Sequence, residues 1–156
     1  MRRGSLRDKG ALDARGLTFA VVVARWNAEV TEKLLDGALG VFSRAGVRAK
    51  DVWVLRVPGS FEIIAACRRA IRTGVSAVVT LGCLIRGETP HFEVLAHAVA
   101  SALAVLNASQ DVPIAFGVLT CESRKQALER AGGRAGHAGE EAARAAIEMA
   151  LLARSA

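Results

Sequence analysis

Four short apolar runs alternate with stretches of helical periodicity, and this alternation constrains the fold more than any other feature of the chain. Thr18-Phe19-Ala20-Val21-Val22-Val23-Ala24 is apolar almost throughout, as suits a strand buried on both faces. Val30, Leu34, Leu35, Ala38, Val41 and Phe42 then recur at helical spacing, with Asn27 placed to cap them and Gly46 to stop them. Residues 51–57 read as a second strand, closed by Pro58-Gly59, and a helix follows from Phe61 towards Gly74. Residues 77–82 form a third apolar run. The polar loop Arg86-Gly87-Glu88-Thr89-Pro90 leads from it into a long apolar-periodic helix ending near Gln110. Residues 113–119 are the fourth run, and Ser123-Arg124-Lys125-Gln126 has the spacing of a capping box. After a glycine-rich stretch, 132–139, a last helix spans 140–154. Strands alternating with helices predict a parallel sheet covered on both faces, hence a three-layer αβα sandwich with right-handed crossovers. The expectation is one α/β domain over 17–156 with a four-stranded parallel sheet. Residues 1–16 lack periodicity and read as an N-terminal tail outside the core.

Length agrees with a single domain, since domains usually run to about 100–150 residues and this chain has 156. The net charge of +6 raises the question of nucleic acid. Its distribution argues against that, because residues 1–16 carry a net +3 and the remaining 140 residues share the other +3. No basic run is interleaved with aromatics, so no nucleic-acid partner is expected. No apolar run reaches the roughly 18 residues of a membrane span, and no apolar signal core follows Met1-Arg2-Arg3-Gly4. A soluble, cytoplasmic protein without a membrane partner is expected. Cys67, Cys83 and Cys121 are widely spaced and form no C-x-x-C pair, so neither a metal site nor a disulfide framework is expected.

In an open α/β sheet, ligands bind beyond the carboxyl ends of the strands. The segments leaving those ends hold the least ordinary residues of the chain. Trp26 follows the first strand, where its ring either stacks on a planar heterocycle or packs as a core indole; Trp53, mid-strand, reads as core. Ser60-Phe61-Glu62 opens a helix, and Glu62 either accepts from hydroxyls or complements the helix dipole. Gly87, Thr89 and the following helix N-terminus make an anion cradle. His91, just past Pro90, is placed either to shuttle protons or to sit as an ordinary surface histidine. His97, inside the helix, reads as structural. Arg130 and Arg134 flank Gly132-Gly133, a pairing that suits phosphate although no nucleotide-binding signature is present.

Taken together, Arg25-Trp26-Asn27, Pro58-Gly59-Ser60-Phe61-Glu62, Gly82-Cys83-Leu84-Ile85-Arg86-Gly87-Glu88-Thr89-Pro90-His91-Phe92, Phe116-Gly117-Val118-Leu119-Thr120 and Glu129-Arg130-Ala131-Gly132 resemble the 6,7-dimethyl-8-ribityllumazine synthases of riboflavin biosynthesis. The resemblance spans about residues 17–155, in order and with matching spacing. It implies a flavodoxin-like fold and a cofactor-free transferase. That enzyme condenses 5-amino-6-(D-ribitylamino)uracil with 3,4-dihydroxy-2-butanone 4-phosphate, releasing phosphate and water. By this resemblance His91 transfers protons, and Arg130 binds phosphate with Gly87, Glu88 and Thr89. Trp26 stacks on the pyrimidine, which Ser60, Leu84 and Ile85 line, while Asn27, Phe61 and Glu62 hold the ribityl chain. Phe116 and Arg130 reach the site from a neighbouring subunit. The implied partners are copies of the chain itself, as pentamers or a sixty-subunit shell, and riboflavin synthase. The tail is then expected to add a strand to a neighbour's open sheet edge.

Two positions depart from the family pattern. Ala138 stands where a lysine is usual, so contact with the pyrimidine carbonyl falls to His137 or Arg134. Trp26 stands where phenylalanine is more common. Both keep a second reading open, a flavin-holding homologue with little turnover. An archaeal-type riboflavin synthase is a third reading, disfavoured by the phosphate-binding residues, and a generic nucleotide-binding flavodoxin-like module leaves the joint spacing unexplained.

Overall fold

The computed structural model describes residues 10–156. Four strands, β1 (Phe19–Ala24), β2 (Val52–Val57), β3 (Ala77–Ile85) and β4 (Ile114–Cys121), form one parallel sheet in the order β2-β1-β3-β4. The long helices are α1 (Ala28–Arg44), α2 (Ile63–Ile71), α3 (His91–Ala108) and α5 (Ala138–Ser155). A short helix, α4 (Arg124–Arg130), leads into a small antiparallel hairpin of β5 (Ala131–Gly133) and β6 (Gly136–His137).

The apolar runs form strands because helices cover both faces of the sheet. All six residues of β1 are buried. Phe19, Val21 and Val23 pack towards α1 and α5, with Leu34, Phe42 and Ile147. Ala20, Val22 and Ala24 pack towards α2 and α3, with Ile63, Cys67, Val99 and Leu103. Burying a valine or phenylalanine side chain contributes roughly 1.5–3 kcal/mol, so a strand buried on two sides anchors the fold. The Phe19 and Phe42 rings stack with centroids 4.4 Å apart. Gly139 lets α5 cross α1 closely. A Cβ there would lie 2.7 Å from the Leu34 carbonyl carbon and 2.8 Å from its Cα.

The three-layer sheet matches the expectation, and several local details differ. β3 runs to Ile85, three residues beyond the expected end at Gly82, because β4 pairs with it as far as Ile85↔Cys121. Asn27 is not a side-chain cap. It adopts a left-handed conformation (φ 60°, ψ 45°) and its Nδ2 donates to the Cys83 carbonyl at 2.8 Å. Ser123 does cap α4, accepting from the Gln126 N–H, while Gln126 Oε1 accepts from the Glu122 N–H. Trp53 lies on the edge strand β2 and is 37% exposed, not core. His97 is exposed on α3. Ala14 is completely buried and donates its N–H to the Ala45 carbonyl, so the core reaches into the segment expected to stay outside it.

Only Val99 and Leu103 of α3 are buried, although the helix is mostly apolar. Among the described residues it is the one helix long and apolar enough, by length and composition, to cross a membrane. It is not an unbroken apolar run, since Glu93, His97, Ser101 and Asn107 interrupt it.

Candidate active site

The carboxyl ends of β1, β2 and β3 converge because the ladder continues past β1. Arg25 N–H donates to the Val57 carbonyl at 2.8 Å, and Trp26 N–H to that of Pro58 at 3.0 Å. Asn27 then turns the chain into α1. Its small polar side chain tolerates the left-handed backbone and ties β1 to the overhang of β3. Trp26 is left 73% exposed at this mouth, and Phe61 57% exposed. Neither ring is a core residue, which removes the packing alternative for Trp26.

Ser60 is buried, and its hydroxyl stands over Gly82 of β3, where a Cβ would approach it to 2.6 Å. Glu62 is exposed, and one carboxylate oxygen accepts from the Gly59 N–H at 2.9 Å, closing the turn that presents Ser60 and Phe61. Leu84 is buried and Ile85 half-buried at the end of β3. Gly87, Glu88, Thr89 and His91 are all exposed, and no atom crowds the position that a Gly87 Cβ would take. His91 opens α3, and its N–H donates to Thr89 Oγ1 at 3.4 Å. No side chain caps this helix from the Pro90 position, so its first-turn N–H groups suit an anion.

Arg86 organises this loop, a role that its sequence context does not announce. Its N–H donates to the Cys121 carbonyl at 2.9 Å, Nε bonds Glu122 at 2.6 Å, Nη1 pairs with Glu93, and the guanidinium lies 4.6 Å from the Phe92 ring centre. It therefore joins the ends of β3 and β4 to the first turn of α3. The partners lie 7 and 36 residues away, at no periodic spacing, so only the fold reveals them.

Phe116 and Arg130 lie elsewhere in the chain. Phe116 pairs with Thr80 on β3, which pairs with Val22 on β1, three residues before the Arg25 mouth. With Arg130, Ala138, Glu141 and Ala142 it lines a cavity of about 270 Å³, and none of the lining residues comes from the mouth segments. Arg130 is held by the Ala135 carbonyl at 2.7 Å and by Glu141 at 3.1 Å. Ala138 is buried, the His137 ring sits against Gly37 of α1, and exposed Arg134 pairs with Glu129 at 2.9 Å. This pairing holds the Glu129 carboxyl below its ordinary range. Phe116 and Arg130 thus share one cavity, whose lining does not include Trp26, Phe61 or His91.

The cysteines do not supply a nucleophile. All three are free and buried, and burial pushes the thiols of Cys67 and Cys83 up to about 12 and raises that of Cys121. Among the described residues, no three His, Cys, Asp or Glu side chains cluster as metal ligands.

Residues 16–154 match the family model for 6,7-dimethyl-8-ribityllumazine synthase. The chain is 46% identical over 145 residues to the 6,7-dimethyl-8-ribityllumazine synthase of Chlorobaculum tepidum, covering 92% of this chain and 94% of that one. It is 49% identical over 145 residues to the synthase of Thermotoga neapolitana, covering 92% and 87% of the two chains. Against that of Anaeromyxobacter dehalogenans it is 49% identical over 148 residues, covering 94% and 91%. The match runs from before β1 into the last turn of α5, and this chain belongs to the 6,7-dimethyl-8-ribityllumazine synthase family.

Proposed function

We propose that the protein condenses 5-amino-6-(D-ribitylamino)uracil with 3,4-dihydroxy-2-butanone 4-phosphate to 6,7-dimethyl-8-ribityllumazine. The uracil's amine attacks the ketone and water leaves as the imine forms. Phosphate is then eliminated, and the ring closes with loss of a second water. Trp26 stacks on the pyrimidine, with Ser60, Leu84 and Ile85 along its edge. Asn27, Phe61 and Glu62 hold the ribityl chain. Gly87, Glu88, Thr89 and the α3 N-terminus cradle the phosphate with Arg130, and His91 moves protons between the intermediates. Holding two reactants in register can supply several kcal/mol of the barrier, so this chemistry asks little beyond one proton carrier and one cation.

The observation that supports this reading is that Phe116 and Arg130 line a cavity that includes no residue of the segments around Trp26, Phe61 and His91, while Trp26 and Phe61 stand exposed. A complete site then needs a second copy, whose Phe116 and Arg130 face the Trp26–His91 mouth. A homo-oligomer, pentameric at least, working in the cytoplasm, follows from this reading. The domain is taken as 17–156 with Ala14 packed into its core, and the strand that the tail adds to a neighbour falls to the residues before it, most of which lie outside the described residues. A docking site for riboflavin synthase belongs to the same proposal. The deciding experiment is a steady-state assay with both substrates, following lumazine absorbance and released phosphate together. Equal amounts of both products support the synthase. Flavin binding with no product above the uncatalysed rate supports the flavin-holding reading, which the exposed Trp26 and the absent lysine at Ala138 favour.

A further inference from the structure

The His137 imidazole is clasped between two glycines. A Cβ on Gly37 of α1 would collide with the edge of the ring, overlapping Cε1 and Nε2 and standing 2.7 Å from Nδ1. A Cβ on Gly132 of β5 would lie 3.2 Å from Cδ2. Nδ1 is buried and has no hydrogen-bond partner, so the ring holds this place by shape rather than by a polar contact.

This clasp is linked to Arg130 through a few backbone atoms. His137 pairs with Ala131, the residue directly after Arg130, across the hairpin. The residues before His137 are Ala135, whose carbonyl accepts from Arg130 Nη1 at 2.7 Å, and Gly136. A Cβ on Gly136 would stand 3.2 Å from Glu141 Oε1 and 3.4 Å from Arg130 Nη1, so the Arg130–Glu141 pair rests on bare backbone. The residue after His137 begins α5, which carries Glu141. The ring thus fixes the hairpin on which the guanidinium lies and the start of the helix that supplies its carboxylate.

We infer that His137, seated between Gly37 and Gly132, is a positioning residue that sets the Arg130 guanidinium for the phosphate of the substrate. The inference rests on the phosphate role proposed for Arg130. The ring packs against Gly37 and Gly132 with Nδ1 buried, so the pyrimidine-carbonyl contact left open by Ala138 is assigned to Arg134, and the consequence of losing His137 falls on the phosphate side.

The test is a kinetic comparison of His137→Ala, Gly37→Ala, the double variant and Arg130→Ala, with thermal unfolding recorded for each. His137→Ala is expected to raise KM for the butanone phosphate about 5–10-fold, with kcat and KM for the ribitylaminouracil changed less than about twofold. Gly37→Ala expels the ring by its new methyl group and is expected to show the same split. Once the ring is gone that methyl group has room, so the double variant is expected to match His137→Ala rather than to add the two effects. If Arg130→Ala raises the phosphate-substrate KM and His137→Ala does not, the positioning role is wrong and the phosphate role stands. If Arg130→Ala leaves that KM unchanged, both fall together. A uniform loss of kcat and of both affinities in His137→Ala, in step with a lower Tm, or strictly additive effects in the double variant, reduces His137 to a packing residue.

Discussion

At the residue scale, the proposed mechanism asks different things of His91, Arg130 and Trp26. His91 stands exposed at the first position of α3, beside Thr89. His91→Ala is expected to lower turnover by about 10–10³-fold, at the lower end of the roughly 10²–10⁴-fold that a proton-transfer group supplies. The wild-type rate in that variant removes His91 from the mechanism. Arg130 meets Glu141 in the free protomer, so phosphate competes with a carboxylate already in place. Arg130→Ala gives up a charge-assisted contact of roughly 1.5–3 kcal/mol, and the loss is expected in the affinity for the phosphorylated substrate. Trp26 presents a wide indole to solvent beside residues that suit a ribityl chain. Riboflavin binding at micromolar concentration, read as fluorescence quenching and weakened in Trp26→Ala, is the expected result. Stacking of this kind contributes roughly 1–3 kcal/mol. Equal binding by wild type and variant leaves the indole with no ligand role. Trp26 and His91 were singled out from sequence because the carboxyl ends of strands are where α/β ligands bind, and Arg130 because it flanks a glycine-rich stretch. Arg86 was not singled out, because its partners Glu93 and Glu122 come from two other elements.

At the scale of elements, α1 and α5 depend on one close approach. Gly139→Ala places a methyl group against the Leu34 backbone, which unlike a side chain cannot swing away. Overpacking of this kind costs roughly 1–3 kcal/mol, and a lower denaturation midpoint with an unchanged m-value is the expected reading. An unchanged midpoint means that α5 shifts freely and does not lock the Arg130 cavity. α1 and α5 were legible as helices, whereas the β5–β6 hairpin was not. Its strands hold three and two residues, too short for any periodicity, and the pairing Ala131↔His137 exists only because α4 and α5 bring its ends together.

At the scale of the whole molecule, charge and exposed surface make separate predictions. The thiols of Cys67 and Cys83 are raised from 9.0 to about 12 by burial. Unfolded thiols lose their protons first, so this stability is full below pH 9 and is lost as pH rises towards 12. The slope is about 1.4 kcal/mol per pH unit for each thiol. Alkaline unfolding that is unchanged when both cysteines become alanine refutes this cause. The outer surface of α3 leaves Val94 66% and Val105 69% exposed, a stripe suited to a neighbouring copy. On the oligomer proposed above, a large particle is expected by light scattering. Val105→Asp is expected to reduce its mass. A wild type that scatters only as pentamer or decamer, across pH and phosphate, overturns the shell.

What the sequence determined by itself was the parallel sheet and the helices that cover it. Apolar runs such as 18–24 are buried whichever helices cover them, and the hydrophobic effect needs no knowledge of the partner. The tertiary structure alone decided how far β3 extends, since its last residues become a strand only by bonding to β4. It also decided that Asn27 braces β3 instead of capping α1, that Ala14 joins the core, and that Phe116 and Arg130 lie apart from the mouth. Hydrogen bonds and ring contacts depend on ångström distances between segments far apart in the chain. Those distances are set by packing, and no local pattern of residues encodes them.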